Sequence, residues 1–362
     1  MTSRNAVLSR LLGGRAAVGA TPWMLDLTLW HKWHRRRGTL PESWRDLSEA
    51  QVAGQLGATA WIVVRPWEVT YRGIEVLMEE TASERTIRFE TSSGALRARW
   101  TLGPEGDWWQ AEFPVKEAAD LRAVLEVIAG RTYSWDESVA ASAVREAGQT
   151  GIIALELPMR PYSDLLHTML GWGEGLMFFV GEQAPILMEM LALLEDQALQ
   201  AAHRLAGLPG DLLYAPDNLD GQYVSPRSFR NYLQESYRRS AAVAQEVGRP
   251  LIVHVGGPAR RLLPLLAESG VSGVQGIAGP PQSDATLSEA RDLAGPDLAI
   301  WGGIPQDLLL PLYSEADFED AVRQAMREAA NDPRAVIGVS DRVSVDSDPR
   351  RLEALSRILN RT

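Results

Sequence analysis

The chain has 362 residues, of which 45% are hydrophobic and 23% are charged, and its formal net charge at pH 7 is −11. This length can bury a large core, and α/β barrels of about 250 residues or more form one domain, so we predict a single domain over residues 1–362. The acidic balance argues against nucleic-acid binding, and a chain without cysteine has neither disulfides nor thiolate metal sites.

The N-terminal stretch, MTSRNAVLSRLLGGRAA, lacks the continuous apolar core of a signal peptide. The most apolar stretch, GLMFFVGEQAPILMEMLALL, is interrupted by Gly, Glu, Gln and Pro, which argues against a membrane span. We therefore expect a soluble, cytoplasmic protein that does not act on a membrane.

Short apolar runs alternate with longer helical patterns along the chain, as in parallel sheets whose strands are buried on both faces. Eight such runs, mostly followed by a helix, predict a (β/α)8 barrel, or TIM barrel, with an open doubly wound sheet as the alternative. The predicted strands are Trp23–Leu29, Ala60–Val64, Ile152–Leu157, Asp211–Ala215, Leu251–Val255, Gly273–Ile277, Leu298–Trp301 and Ala335–Val339.

Two stretches between the strands carry clear local signals. Residues 86–102, TIRFETSSGALRARWTL, read as two strands joined by SSG, which predicts a β-hairpin inserted after the second barrel strand. Residues 225–248 read as one helix, with Ser225 as N-cap, Pro226 at the first helical position and Gly248 at the C-terminal end.

Active sites of such barrels lie at the carboxyl ends of the strands, where the βα loops begin. Polar residues follow nearly every predicted strand, so we expect them to converge on one rim. Two glycines after His254 would let either backbone or a ligand approach closely, and the amides of the next helix could hold an anion. The predicted catalytic residues are His254, Asp217 and Asp341, and the predicted substrate-binding residues are Arg65, Glu156, Arg160, Tyr162, Tyr214, Asn218 and Gln275.

Each of these residues has a structural alternative. A single histidine at a strand end is more often a hydrogen-bonded rim residue than a catalyst. Asp217 could shape a turn or cap a helix, and Asp341 could pair with Arg342 or a helix N-terminus. The number of strand ends that carry such groups favours the functional interpretation.

Four stretches resemble the uroporphyrinogen decarboxylase superfamily. They are GTLPESW near the N-terminus, LLYAPDNLDGQYVSPRSFRNYL, IVHVGGPARRLLPLLAESGV and IGVSDRVSVDSDPRRLEAL. The resemblance spans most of the chain and implies a (β/α)8 barrel. This superfamily includes the decarboxylase itself and the zinc-dependent corrinoid:coenzyme M methyltransferases. Its members are often dimers, so the resemblance also implies a homodimer.

The resemblance to the decarboxylase breaks down at its site. Its substrate-binding arginines correspond here to His34 and Gly38, and the aspartate that faces its pyrroles falls in a stretch with Arg65 and Pro66. Its C-terminal histidine aligns with Asp341. Decarboxylation of uroporphyrinogen is therefore not expected.

The thiol methyltransferases hold zinc through a histidine and two cysteines. This chain keeps the histidine as His254, but Gly256 and Asp341 stand where the resemblance places the cysteines. His254 and Asp341 could still bind a divalent metal ion if Asp217 or Glu156 joined them, and such oxygen ligands would shift the preference toward harder ions.

The resemblance implies methyl transfer to or from a small substrate, with a corrinoid carried by a partner protein. His254 and Asp341 would act as ligands or as an acid–base pair, Asp217 would orient or deprotonate the substrate, and Arg160 or Arg65 would hold an anionic group. The alternatives are a decarboxylase or lyase of a small carboxylate, and a barrel that binds a ligand without catalysis.

Overall fold

The computed structural model describes residues 3–13, 21–103 and 106–360, which form two compact units. The first unit lies within Met1–Pro66, Glu137–Leu157 and Arg204–Thr362, and the second comprises Trp67–Asp136 and Pro158–His203.

The strands alternate with helices in the first unit and cluster in the second. The strands are β1 (Trp23–Leu25), β2 (Thr59–Val64), β3 (Trp67–Tyr71), β4 (Glu75–Glu80), β5 (Glu84–Thr91), β6 (Gly94–Leu102), β7 (Trp108–Glu112), β8 (Arg131–Trp135), β9 (Gly151–Glu156), β10 (Leu212–Leu219), β11 (Leu251–Val255), β12 (Gly273–Ile277), β13 (Ala299–Ile304) and β14 (Ala335–Val339).

The α-helices follow in the same chain order. They are α1 (Ser3–Leu11), α2 (Thr28–Arg37), α3 (Glu49–Gln55), α4 (Leu121–Gly130), α5 (Glu137–Ala147), α6 (Pro161–Asp164), α7 (Ala184–Ala206), α8 (Pro226–Tyr232), α9 (Gln234–Glu246), α10 (Leu263–Glu268), α11 (Leu287–Ala294), α12 (Glu315–Ala329) and α13 (Pro349–Leu359). Short 3-10 turns occur at Glu42–Trp44, Ala118–Asp120, Glu174–Val180 and Gln306–Leu309, and a π-helical turn occurs at Leu165–Leu170.

The first unit is a closed parallel barrel with the strand order β1-β14-β13-β12-β11-β10-β9-β2. The predicted (β/α)8 fold is therefore confirmed. The first strand is shorter than the predicted Trp23–Leu29, because the carboxylate of Asp26 accepts the N–H of Thr28 at 2.9 Å and α2 begins there. β10 is longer than predicted and continues to Leu219 through an irregular register after Ala215.

The barrel interior is filled with side chains. Trp61, Tyr214 and Trp301 form an aromatic layer, in which ring centroids lie 5.4 Å apart for Trp61 and Tyr214 and 4.9 Å apart for Trp61 and Trp301. Gly338 on β14 makes room for the indole of Trp301, whose Nε1 lies 2.1 Å from where a Cβ would stand. Val7 and Leu11 of α1 pack into the same core cluster.

The helix predicted over residues 225–248 is two helices, α8 and α9, that meet at Leu233. Its start is confirmed, because the Ser225 hydroxyl accepts the N–H of Ser228 at 3.0 Å and Pro226 is the first helical residue. Gly248 adopts φ of 67° just beyond the end of α9, as a terminating glycine does.

The second unit contains more strands than the predicted hairpin. Residues 86–102 form most of β5 and β6, which are joined as predicted, but these strands are the centre of a four-stranded antiparallel sheet with the order β4-β5-β6-β7. β3 and β8 form a separate antiparallel pair. β4 gives no sequence signal because all six of its residues are exposed, so apolar and polar residues do not alternate along it.

No single helix in the described parts of the chain is long and apolar enough to cross a membrane. Glu174–Val180 and Ala184–Ala206 reach that length and composition only together, and the two segments are bent by 103° relative to each other.

Candidate functional site

His254 lies at the carboxyl end of β11, near the mouth of the barrel, and only 8% of the residue is exposed. Its Nε2 lies 3.9 Å from Oδ1 of Asp341, and its Nδ1 contacts Oε1 of Gln275. The Nε2 of Gln275 in turn donates to the backbone carbonyl of Asp341 at 3.1 Å. The structure thus brings together three of the predicted site residues, one from each of three strand ends.

Two residues near His254 have unusual backbone conformations. Asn218 has φ of 47° and Asp341 has φ of 68°, and they are the non-glycine residues with positive φ in the described chain. Such conformations cost free energy and cluster at functional sites. Both side chains are exposed at the ends of their strands, with 41% of the Asp341 side chain accessible.

The two glycines after His254 make room for protein side chains. A Cβ on Gly256 would stand 1.6 Å from Oδ1 of Asn218, and a Cβ on Gly257 would stand 2.6 Å from Oδ2 of Asp220. The glycines therefore do allow a close approach, and the groups that make it are the side chains of Asn218 and Asp220.

The amides closest to these glycines are occupied within the chain, whereas the anion site expected at the next helix stays a prediction. The backbone N–H groups of Ala259 and Arg260 both donate to Oδ1 of Asp284, at 2.8 and 3.0 Å. A carboxylate of the chain itself thus occupies these donors, and the next helix begins only at Leu263.

Tyr214 lies beneath His254, with 6.4 Å between the ring centroids. Burial raises the pKa of its hydroxyl well above the usual value, and the negative charges of Asp341, Asp26, Glu156 and Asp217 raise it further. The tyrosine hydroxyl therefore stays protonated and can donate a hydrogen bond, although several carboxylates surround it.

Three carboxyl groups of the first unit hold protons more tightly than ordinary carboxylates. Burial raises the pKa of Glu49 to about 7, and the nearby charge of Asp26 adds to the effect. Burial likewise raises the pKa of Asp26, with a contribution from Asp341, and that of Glu156, where Arg65 partly compensates. These groups can therefore exchange protons nearer neutral pH than free carboxylates.

Asp217 is fully buried, in contrast to Asp341. Its Oδ2 accepts a hydrogen bond of 2.6 Å from the hydroxyl of Tyr237, which is also fully buried. This bond connects β10 to α9 and gives Asp217 a structural partner. Its catalytic role stays a prediction.

The predicted anion-binding arginines have different surroundings. Arg65 is half-exposed, with its Nε 3.9 Å from Oε1 of Glu156. Arg160 belongs to the second unit, where its Nη2 donates to the carbonyl of Pro158 at 2.6 Å and the side chain is fully buried. Tyr162, also in the second unit, is buried with its ring 5.0 Å from that of Phe179. The substrate-binding roles of Arg160 and Tyr162 stay predictions.

The residues do not fit a metal centre. Catalytic metal sites use about three protein ligands. The described ranges contain no group of three His, Cys, Asp or Glu side chains that could hold one ion. His254 and Asp341 supply two donors, one short of such a set. We therefore assign no metal ligand here.

Sequence reasoning missed several contributors. Glu49 resembles an ordinary first residue of a helix after the capping Ser48, so its raised pKa had no sequence signal. Trp61 and Trp301 look like core residues of apolar strands, and they are core residues of the same aromatic layer as Tyr214. The sequence signal for Tyr237 would have been its place in α9, the second helix after the strand that carries Asp217.

Comparison with known proteins agrees with the fold and the motifs. The sequence model of the uroporphyrinogen decarboxylase (URO-D) family matches residues 182–361, about half of the chain. No curated protein matches the sequence significantly.

Among solved structures, the chain is similar to a methyltransferase from Methanosarcina mazei, with 15% identity, a TM-score of 0.62, and coverage of 99% of this chain and 98% of that chain. A D-psicose 3-epimerase from Clostridium cellulolyticum H10 matches at 10% identity and a TM-score of 0.38, over 62% of this chain and 82% of that chain.

The fold and the polar mouth define a (β/α)8 barrel with its candidate site at the carboxyl ends of the strands. Over residues 182–361 the chain matches the uroporphyrinogen decarboxylase family.

Proposed function

We propose that this protein is an enzyme that transfers a methyl group to or from a small substrate bound at the mouth of the barrel. The observation that carries the proposal is the pairing of His254 with Asp341, at 3.9 Å, at the barrel mouth. The likeness in fold to a methyltransferase over nearly the full length of both chains supports the choice of reaction.

The proposed chemistry needs one proton transfer. When a substrate heteroatom receives a methyl group it loses its proton, and when it gives up a methyl group it regains one. His254 would take or return this proton, since an imidazole changes its protonation readily near neutral pH. The carboxylate of Asp341 would stabilise the imidazolium that forms. A corrinoid carried by a partner protein would donate the methyl group to the substrate or accept it from the substrate.

The surrounding groups would hold the substrate. Tyr214 offers a protonated hydroxyl, Asn218 offers an amide, and the half-exposed guanidinium of Arg65 could bind an anionic group. The carboxylates around Tyr214 would favour a substrate that is neutral or positively charged next to the reacting atom.

A second candidate function is decarboxylation or lysis of a small carboxylate. The raised pKa values of Asp26, Glu49 and Glu156 favour it, because a protonated carboxyl group can deliver a proton to carbon as carbon dioxide leaves. A barrel that binds its ligand without turnover is the third candidate.

The proposal is tested by incubating the purified protein with reduced cobalamin and a panel of small O-, N- and S-methylated compounds. Time-dependent formation of methylcobalamin, followed by its absorbance, is the expected result. Release of carbon dioxide from small carboxylates without methyl transfer would favour the lyase. Ligand binding without any product would favour the non-catalytic barrel.

A further inference from the structure

Gln275 is almost completely buried, at 3% exposure, and both ends of its amide are engaged. The Nε2 group donates to the backbone carbonyl of Asp341 at 3.1 Å, and Oε1 contacts Nδ1 of His254. The amide therefore bridges the end of β11 to the residue that carries the carboxylate opposite His254.

The backbone carbonyl of Asp341 determines the orientation of this amide. A carbonyl oxygen only accepts hydrogen bonds, so the NH₂ end of Gln275 must face it. The reversed amide would place Oε1 against the Asp341 carbonyl, so that two acceptors would face each other and the buried Oε1 would have no donor there. Such unsatisfied buried groups cost about 1–3 kcal/mol each.

The orientation of the amide determines which nitrogen of His254 carries the proton. Because Oε1 of Gln275 accepts, Nδ1 of His254 must donate. A neutral imidazole has one N–H, so Nε2 then holds the lone pair. We infer that Gln275 is a positioning residue that fixes His254 in the Nδ1–H tautomer, with Nε2 as the basic atom that faces Asp341.

For transfer of a methyl group to the substrate, the inference identifies the atom that accepts the proton, and transfer from the substrate to the corrinoid uses the same Nε2 after it has been protonated. Nε2 is ready to remove the proton from the substrate heteroatom as that atom bonds to the methyl carbon, while the bond between the methyl group and the corrinoid breaks and its electron pair stays with the corrinoid. The N–H bond that forms at Nε2 then lies 3.9 Å from the Asp341 carboxylate, which stabilises the positive charge. This step rests on the proposed function, whereas the tautomer itself does not.

The test is a two-bond ¹H–¹⁵N correlation spectrum of protein labelled with ¹⁵N-histidine. It is recorded near pH 9, about two units or more above the ordinary histidine pKa of roughly 6.5. The chain has 5 histidines, so the ring signals can be resolved, and the His254→Asn spectrum identifies the missing pair. We expect Nδ1 of His254 to show the shift of a protonated nitrogen and Nε2 that of an unprotonated one.

Variants of the amide separate positioning from a general structural role. Gln275→Leu removes the acceptor and should move the N–H of His254 to Nε2 in a large fraction of molecules. Gln275→Glu keeps an acceptor at the same place and should retain the Nδ1–H tautomer. Gln282→Leu is the matched control, because this amide bonds Ser340 and Gln306 at neighbouring strand ends. It should leave the His254 signals unchanged.

An Nε2–H tautomer in the wild-type spectrum would overturn the inference, and this result does not depend on whether any variant folds. An unchanged tautomer in folded Gln275→Leu protein would also overturn it. If the tautomer is as inferred but no methyl transfer is detected, the positioning role stands and the proposed function fails. The two failures are therefore distinguishable.

Discussion

At the scale of single residues, the packing at the barrel mouth depends on a glycine that leaves room for a neighbouring side chain. Gly256 has no side chain, and the amide of Asn218 fills the space beside its Cα. Asn218 can reach this position because its backbone adopts φ of 47°. The position of the Asn218 side chain therefore requires a glycine at position 256, although two helices separate the two residues in the sequence.

We predict that Gly256→Ala destabilises the protein by about 1–3 kcal/mol, because the added Cβ would stand 1.6 Å from Oδ1 of Asn218. Denaturant unfolding measures the loss. Shortening the neighbour, in Gly256→Ala combined with Asn218→Gly, should restore most of it. Gly207→Ala is the control, since its Cβ would meet only the Arg204 carbonyl at 3.4 Å. A loss that Asn218→Gly does not reduce would show that the clash is elsewhere.

Glu49 makes the stability of the barrel depend on pH. Its pKa of about 7 in the folded state lies above the ordinary 4.5, so the folded state binds more protons than the unfolded state between these values. The stabilising contribution of the protonated form is complete below pH 4.5 and is lost as pH rises toward 7. A shift of this size corresponds to roughly 3–4 kcal/mol.

The variant Glu49→Gln should therefore be more stable than the wild type at pH 8 and nearly equal to it at pH 4.5. Thermal unfolding at both pH values measures this. Glu315→Gln is the control, because Glu315 is also the first residue of a helix but is exposed. A Glu49→Gln effect of the same size at both pH values would contradict the burial account.

At the scale of secondary structure elements, the barrel strands could be predicted because each one is a short continuous apolar run. β11, β12 and β14 have the predicted bounds. The four-stranded sheet was only half predicted, since β4 is exposed along its whole length and carries no burial pattern. The break between α8 and α9 was missed because both helices continue one polar and apolar pattern.

The site was predicted as a set of strand ends but not as a set of contacts. A residue at a strand end points inward or outward according to its register, and the register of β10 shifts between Ala215 and Leu219. Sequence alone therefore could not indicate that Asp217 is buried against Tyr237 while Asn218 is exposed. Sequence alone likewise could not indicate that Gln275 bridges His254 and Asp341, because this depends on how three strand ends come together in the barrel.

The second unit contains a buried ion pair that connects β8 to α6. Arg131 Nη1 bonds to Oδ2 of Asp164, and both side chains are 7% exposed. We predict that Asp164→Asn costs about 3–5 kcal/mol, because it leaves the buried guanidinium without a compensating charge. Calorimetric unfolding measures the loss.

The control is Glu319→Gln, which breaks an exposed pair with Arg323 and should change stability by less than about 1 kcal/mol. Equal effects of the two variants would contradict the role assigned to burial.

At the scale of the whole molecule, the fold and the site chemistry have separate sequence requirements. The chain shares its fold with a methyltransferase at 15% identity over 99% of its length. The barrel needs only apolar strands and amphipathic helices, which many sequences supply. The chemistry of the site, by contrast, needs particular side chains at the barrel mouth. Here these are His254, Asp341 and Gln275, with carboxyl groups nearby and no cysteine in the chain.

The central claim is that His254 is the reacting acid or base of a methyl transfer at the barrel mouth. The most direct test is the rate of methylcobalamin formation by wild type and His254→Ala, measured well below the melting temperature of both. We predict a rate lower by ~10²–10⁴-fold, with the Tm shifted by only a few degrees, and an unchanged rate for His203→Ala on the exposed side of α7. Transfer at the wild-type rate by folded His254→Ala protein, or a loss no larger than its unfolded fraction, would contradict the claim.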